Sequence, residues 1–296
     1  MLIALYGNRI GSEHQPDIES LLAKLSEKDI EIIIFEPLHR FLENMLGRTV
    51  KVKSTFKSPS EVKNSANFML SIGGDGTFLE SVTFVEDSCI PVLGINFGRL
   101  GFLANISSKD IPAAIDQLYA NNFSIENRTA LQVEMPNNPF LDFPFGLNDL
   151  TIQKNGTAMI TVNAYIDNNF LCTYWADGLI ISTPTGSTAY TLSVGGPIVS
   201  PATSAFVVSP IAPHNLTVRP LVIPDTSIVT LEVTTRDKEI LMSLDSRSVN
   251  VNNTISVTIK KASFCIGIVN LKQNDYFKTL RNKLMWGADS RNRIQD

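Results

Sequence analysis

The stretch Asn67-Phe-Met-Leu-Ser-Ile-Gly73-Gly74-Asp75-Gly76-Thr77-Phe-Leu-Glu-Ser81 is a short apolar run, a glycine turn and then a segment of helical character. Residues 67–72 read as a buried strand and 77–86 as the helix that follows. The same alternation extends on both sides. Residues 2–6 read as a strand, and after Pro16 the spacing of Ile18, Leu21, Leu22 and Leu25 predicts a helix over 17–28. A strand over 30–35, a helix over 37–46, a polar Ser/Lys-rich connection, a strand over 91–96 and a helix over 111–120 complete the series. Strands joined by helices in this way predict a doubly wound, parallel-sheet α/β domain over residues 1–126.

From about Asn127 the pattern changes. Residues 157–167 and 170–175 flank Asn168-Asn169, a hairpin turn, and β-branched runs follow at 228–234, 240–244, 254–259 and 265–269. With Pro and Gly punctuation and little helical periodicity, they predict a β-rich second domain over 127–274. The fold class is therefore α/β plus all-β. Residues 275–284 read as a helix returning to the first domain, which 275–296 completes.

At 296 residues, 44% hydrophobic and 18% charged, the chain has the composition of a soluble globular protein with room for two cores. A net charge of -4 and no dense Lys/Arg run argue against nucleic acid as a partner. No apolar run approaches a membrane span, and residues 1–6 are short for a signal-peptide core, so a cytoplasmic protein is expected. Cys89, Cys172 and Cys265 have neither disulfide-framework nor zinc spacing and read as reduced core residues. His14, His39 and His214 have no ligand spacing either, and His214 reads as a packing residue.

Chemistry concentrates in two places. Glycines at 73, 74 and 76, ahead of Thr77 at a helix start, let backbone N–H groups approach a phosphate, with the helix dipole favouring negative charge. No Gly-Lys-Ser/Thr follows, and G-x-G-x-x-G is absent, so this is neither a Walker A loop nor a dinucleotide fingerprint. Asp75 within such a cradle would repel polyphosphate unless it served a metal or accepted a proton from an attacking hydroxyl. Alternatively it caps the helix beginning near Gly76. The second place is Asp177-Gly-Leu-Ile-Ile-Ser-Thr-Pro-Thr-Gly-Ser-Thr-Ala-Tyr190-Thr-Leu-Ser193-Val-Gly-Gly-Pro197. Here the hydroxyls of Ser182, Thr183, Thr185, Ser187 and Thr188 read as polar groups around a ligand, on a backbone held by Pro184 and Gly186.

Gly73-Gly74-Asp75-Gly76-Thr77 resembles the nucleotide motif shared by NAD kinases, diacylglycerol-type lipid kinases and, with a small change, 6-phosphofructokinases. The block 177–197 resembles the longest signature stretch of NAD kinases alone. Further resemblances follow in the same order: Gly94-Ile-Asn96-Phe-Gly98-Arg99-Leu-Gly101-Phe-Leu103, Asn148-Asp149, Pro213-His-Asn-Leu216 with Arg219-Pro220, and Leu280-Arg-Asn-Lys-Leu-Met-Trp286-Gly287. Gly98 and Gly101 read first as backbone-permissive positions under the site.

The resemblance implies a homo-oligomeric, tetrameric, ATP-dependent enzyme that uses Mg²⁺ or another divalent cation to phosphorylate NAD on its adenosine-ribose 2′-hydroxyl. It implies that Asp75 orients and deprotonates that hydroxyl, with Gly76 against the nucleotide and Gly73, Gly74, Gly76 and Thr77 on the ATP phosphates. Asn148 and Asp149 would bind the dinucleotide, and Asp177 would meet its nicotinamide end. Thr185, Thr188, Ala189, Tyr190, Thr191, Leu192 and Ser193 would line the adenosine and nicotinamide pockets. Trp175, Asp245 and Arg247 complete the implied substrate set. Three positions depart from the family pattern: Asp149 stands where Glu is usual, Arg247 where Gln is common after the Asp, and Trp175 where bacterial relatives often carry a basic residue. The alternatives are a lipid or sugar kinase sharing Gly-Gly-Asp-Gly and a non-catalytic dinucleotide sensor.

Overall fold

The computed structural model describes residues 1–8, 10–63, 65–98, 100–272 and 275–287. The chain divides into two compact units, residues 1–126 with those from 267 onward, and Asn127–Ile266. In the first unit the elements run β1 (Leu2–Gly7), α1 (Gln15–Glu27), β2 (Glu31–Phe35), α2 (Glu36–Leu46), β3 (Ser54–Phe56), α3 (Pro59–Lys63), β4 (Phe68–Ile72), α4 (Asp75–Val85), β5 (Val92–Asn96), β6 (Ile106–Ser107) and α5 (Ile111–Tyr119).

Parallel pairings place these strands in the order β3-β2-β1-β4-β5-β6. β1, β4 and β5 are almost entirely buried, as continuous apolar runs in a sheet covered on both faces must be. Ile18, Leu21 and Leu25 of α1 and Ile111, Ile115 and Leu118 of α5 join Ile3, Leu5, Leu70 and Leu93 in one core. The winding reverses between β1 and β4, and in open α/β sheets ligands bind beyond the carboxyl ends of the strands at such a reversal. The glycine turn 73–76 leaves β4 at that point.

The second unit contains β7 (Phe123–Glu134, begun in the first unit), β8 (Phe145–Gly146), β9 (Asp149–Lys154), β10 (Ile160–Ile166), β11 (Asn169–Ala176), β12 (Gly178–Ser182), α6 (Tyr190–Ser193), β13 (Ala205–Ile211), β14 (Leu221–Pro224), β15 (Val229–Leu244) and β16 (Arg247–Leu271). Antiparallel ladders give the order β14-β13-β12-β9-β15-β16, with β10 joining β15 to β11. In this register Asp149 lies opposite Ser182, and Leu150 opposite Leu244. The starts of β9, the end of β12 and the β15–β16 turn are thus neighbours. The end of β16 pairs with β5, and α7 (Tyr276–Leu284), whose N-cap Asp275 accepts the Phe277 N–H, belongs to the first unit.

Several elements differ from the sequence reading. The polar connection after α2 holds β3 and α3, too short to produce a periodic signal. The runs 228–234 and 240–244 fall in one strand, Val229–Leu244, because a register shift between Thr234 and Glu239 absorbs the charged run that had separated two apolar segments. Residues 247–271 likewise form one strand, whose Lys260 and Lys261 pair with Glu134 and Asp225. The hairpin turn is Asp167-Asn168, both at positive φ as a tight primed turn requires. Cys89 and Cys265 are exposed, so neither is a core residue, while Cys172 is half-buried and packs against the core of the second unit; Cys265 points outward while its neighbour Ile266 points in. No described helix is long and apolar enough to cross a membrane.

Candidate active site

Asp75 is the first residue of α4, with Gly74 as its N-cap, and its side chain does not cap that helix. The carboxylate instead accepts three successive backbone N–H groups from a distant turn: Phe102 at 2.9 Å on Oδ2, and Leu103 at 3.0 Å and Ala104 at 2.9 Å on Oδ1. Lys283 of α7 approaches Oδ2 at 3.5 Å. The capping alternative is therefore overturned: the turn 101–104 already satisfies the carboxylate and fixes its direction. Gly101 is required by that packing, because a Cβ there would lie 1.9 Å from Asp75 Oδ1.

The glycines of the turn have separate reasons. Gly73 adopts φ +152°, and a Cβ would meet Thr77 Oγ1 at 2.4 Å. Around Gly74 and Gly76, by contrast, a Cβ would meet nothing within 4 Å. Both residues are exposed, so the space over them is open to a ligand beside the positive end of α4. Arg99, part of the family-like run 94–103, lies outside the described residues.

In the second unit a matching arrangement holds Asn148. The carboxylate of Asp245, in a tight turn at φ +52°, accepts N–H groups of Leu147, Asn148 and Asp149 at 2.8, 2.7 and 3.2 Å. From the other side Thr183 donates its N–H to the Asn148 carbonyl and its hydroxyl to the Leu147 carbonyl. Gly186 packs so closely that a Cβ would sit 2.1 Å from the Asn148 carbonyl oxygen. Asn148 is thus clamped through its backbone, and among the described residues no protein group bonds its side-chain amide.

These contacts correct the reading of the Ser/Thr-rich loop. Ser182 donates to the Thr183 carbonyl, Ser187 to Pro184 and Thr188 to Thr185, while Thr185 accepts from the buried Arg128. Buried hydroxyls must find partners, and those of Ser182, Thr183, Thr185 and Ser187 find them in the protein, so they build the loop, while Thr188 is half-buried. Thr191 is also buried, with its hydroxyl unpartnered. Of the next residues, Tyr190 and Ser193 are exposed and Ala189 and Leu192 half-buried.

Asp149 is buried beside Asp245, and its carboxyl is pushed up to about 7, first by burial and then by the Asp245 charge, against a 3.1 Å hydrogen bond donated by Thr151. Burial pushes Asp245 up as well. A raised carboxyl holds its proton in the folded state at pH values where the unfolded chain has lost it. Its contribution to stability is full below the unfolded carboxylate range and is lost as pH rises through about 7. Between pH 6 and pH 8 the protein should lose about 1 kcal/mol from this group. Asp149→Asn stays neutral throughout, so thermal melts across that interval should be flatter for the variant. Equal slopes would remove Asp149 as the titrating group.

The remaining implied residues are placed as follows. Asp177 forms a 2.7 Å ion pair with Lys154. Arg247 is not free to meet a phosphate or ring of a ligand: its guanidinium donates to the Phe143 and Phe145 carbonyls and lies over the Phe140 and Phe143 rings. Asp245 is likewise engaged behind the Asn148 backbone. Trp175 is exposed and lines a cavity of about 450 Å³ with Met159, Thr161, His214, Thr234, Thr235 and Arg236. Sequence reasoning missed Arg236 there, as it missed Arg128, and it gave no role to the 102–104 amides or Lys283, although Phe102, Leu103 and Lys283 lie in family-like runs.

Comparison with known proteins gives two family matches, the ATP-NAD kinase N-terminal domain over residues 19–123 and the ATP-NAD kinase C-terminal domain over 147–271. An NAD kinase of Flavobacterium johnsoniae is 46% identical over 298 residues, covering 99% of this chain and all of the relative. One from Cytophaga hutchinsonii is 42% identical over 293 residues, with the same coverage. The crystal structure of yeast NADH kinase complexed with NADH shares the fold, with a TM-score of 0.84 at 24% identity, covering 100% of this chain and 90% of that one. Both halves of the chain match the same family, and its relatives align from end to end: the chain belongs to the NAD kinase family.

Proposed function

We propose that the protein is an NAD kinase that transfers the γ-phosphoryl group of ATP to the 2′-hydroxyl of the adenosine ribose of NAD, giving NADP. The observation that carries the chemistry is the Asp75 carboxylate, held by three amides beside open space at the head of α4. Asp75 takes the proton of the acceptor hydroxyl as its oxygen bonds to the γ-phosphorus, and the bond to the departing ADP breaks. Gly73, Gly74, Gly76 and Thr77 receive ATP phosphates, and Asn148, through its unengaged amide, and Tyr190 with its neighbours bind the dinucleotide. Fixing the carboxylate in advance is worth more than base strength here, because phosphoryl transfer is accelerated chiefly by positioning and charge stabilisation.

Mg²⁺ enters with ATP, as part of the substrate. Among the described residues no group of three or more His, Cys, Asp or Glu side chains could hold an ion alone. Cytoplasmic residence fits three free cysteines, which a reducing compartment preserves.

A homotetramer is the proposed assembly, supported by exposed apolar residues on the second unit, among them Phe170, Trp175, Leu216, Val222 and Ile228. If a neighbouring subunit completes the pocket, NAD should favour the oligomer. Sedimentation with and without NAD would reveal this, and an active monomer unchanged by saturating NAD would exclude it.

The function is tested by offering the purified protein MgATP with NAD, NADH, a diacylglycerol or a sugar. NADP formed from NAD is the expected product. Phosphorylation of the lipid or sugar alone would favour the other Gly-Gly-Asp-Gly kinases, and binding without turnover would favour a sensor.

A further inference from the structure

A carboxylate offers about four lone-pair directions, and four donors already meet Asp75. An acceptor hydroxyl must therefore replace one of them. The three amides cannot leave without unfolding the 101–104 turn. Lys283 can: its 3.5 Å contact is the longest of the four, its side chain is 33% exposed, and its stem has four rotatable carbons. It also need not go far. Its Nζ lies 4.7 Å from the centroid of the Phe102 ring, whose face attracts a cation, and the Phe102 N–H donates to the same Oδ2.

We propose that Lys283 is a positioning residue for the phosphoryl transfer. In the free enzyme it holds Oδ2 of Asp75 toward the place the acceptor will occupy. It yields that oxygen to the incoming hydroxyl and stays over Phe102 as the positive charge that lets a carboxylate work beside a polyphosphate. Through the step the hydroxyl proton passes to Oδ2, the new oxygen–phosphorus bond forms, the bond to ADP breaks, and Lys283 keeps its own protons. This inference rests on the reading of Asp75 as the proton acceptor.

The test compares Lys283→Met, Lys283→Arg, Asp75→Asn and the Asp75→Asn/Lys283→Met double variant of the full chain, with NAD and MgATP. Lys283→Met should lower kcat by about 10- to 100-fold, the scale of a misplaced catalytic group, with KM for NAD within about threefold. Lys283→Arg should recover to within about fivefold of the parent. Because the exposed ion pair adds little to stability, the melting temperature should stay within about 2 °C. In the Asp75→Asn background, Lys283→Met should cost no more than about twofold, since the charge it acts on is gone.

Parent-like turnover of Lys283→Met beside a slow Asp75→Asn would overturn the proposal and leave the Asp75 reading intact. Losses that multiply in the double variant would also overturn it, by showing that Lys283 acts elsewhere. Rapid turnover by Asp75→Asn would instead remove the underlying reading. Should the Met variant fail to fold, Lys283→Gln carries the same comparison.

Discussion

Asp75→Asn lowers kcat for NADP formation by at least about 10²-fold, while NAD affinity stays within about tenfold of the parent. The amide has the right size but the wrong hydrogen-bonding pattern. Its oxygen can accept from Leu103 and Ala104, but its NH₂ then faces the Phe102 amide and the Lys283 ammonium, both donors. The proton acceptor is lost, and its orientation with it. Steady-state rates and an NAD titration measure the two quantities separately. Near-parental kcat would leave the carboxylate as a structural clamp for the 101–104 turn.

Gly101→Ala should slow the enzyme on a similar scale, about 10²-fold, although residue 101 is not itself a reacting group. Its Cβ would stand 1.9 Å from Oδ1 and 2.5 Å from Cγ of Asp75. The short Asp side chain cannot move aside while three amides hold it, so either the carboxylate rotates away or the turn opens. Losing one or two of those hydrogen bonds should also cost roughly 1–3 kcal/mol of stability. Gly98→Ala supplies the contrast: the nearest atom to its Cβ is Asn96 Oδ1 at 3.8 Å, and turnover should be close to parental. If Gly101→Ala turned over normally, the packing of the turn against Asp75 would not matter to the reaction.

The fold was largely legible because its signals are local. Apolar runs at 2–6, 67–72 and 91–96 have the length of buried strands, and Ile18, Leu21 and Leu25 recur on one face of α1. The short β3 and α3 escaped because three to five residues cannot establish a period. The site was legible only in part. Asp75 announced itself as a carboxylate among glycines, but the amides that hold it lie 27 to 29 residues further on, and Lys283 lies 208 residues away. Those contacts are set by strand order and helix docking, which leave no trace in spacing.

Composition also misled in the 182–188 loop. Its hydroxyls suggested ligand contacts, yet burial obliged them to bond the loop itself and the turn before β9. Arg247, placed in the substrate set by resemblance, has its guanidinium engaged by two carbonyls and two aromatic rings.

The most direct test of the central claim follows the phosphorus atom. The purified protein is incubated with NAD, Mg²⁺ and ATP labelled in its γ-phosphoryl group, and the position of label in the product is determined after the pyrophosphate bridge is cut. Phosphoryl transfer through Asp75 predicts label on the 2′-oxygen of the adenosine half, one ADP formed for each label transferred, and almost none of either with Asp75→Asn. Label on another hydroxyl, or label on the 2′-oxygen at an undiminished rate in Asp75→Asn, would contradict it.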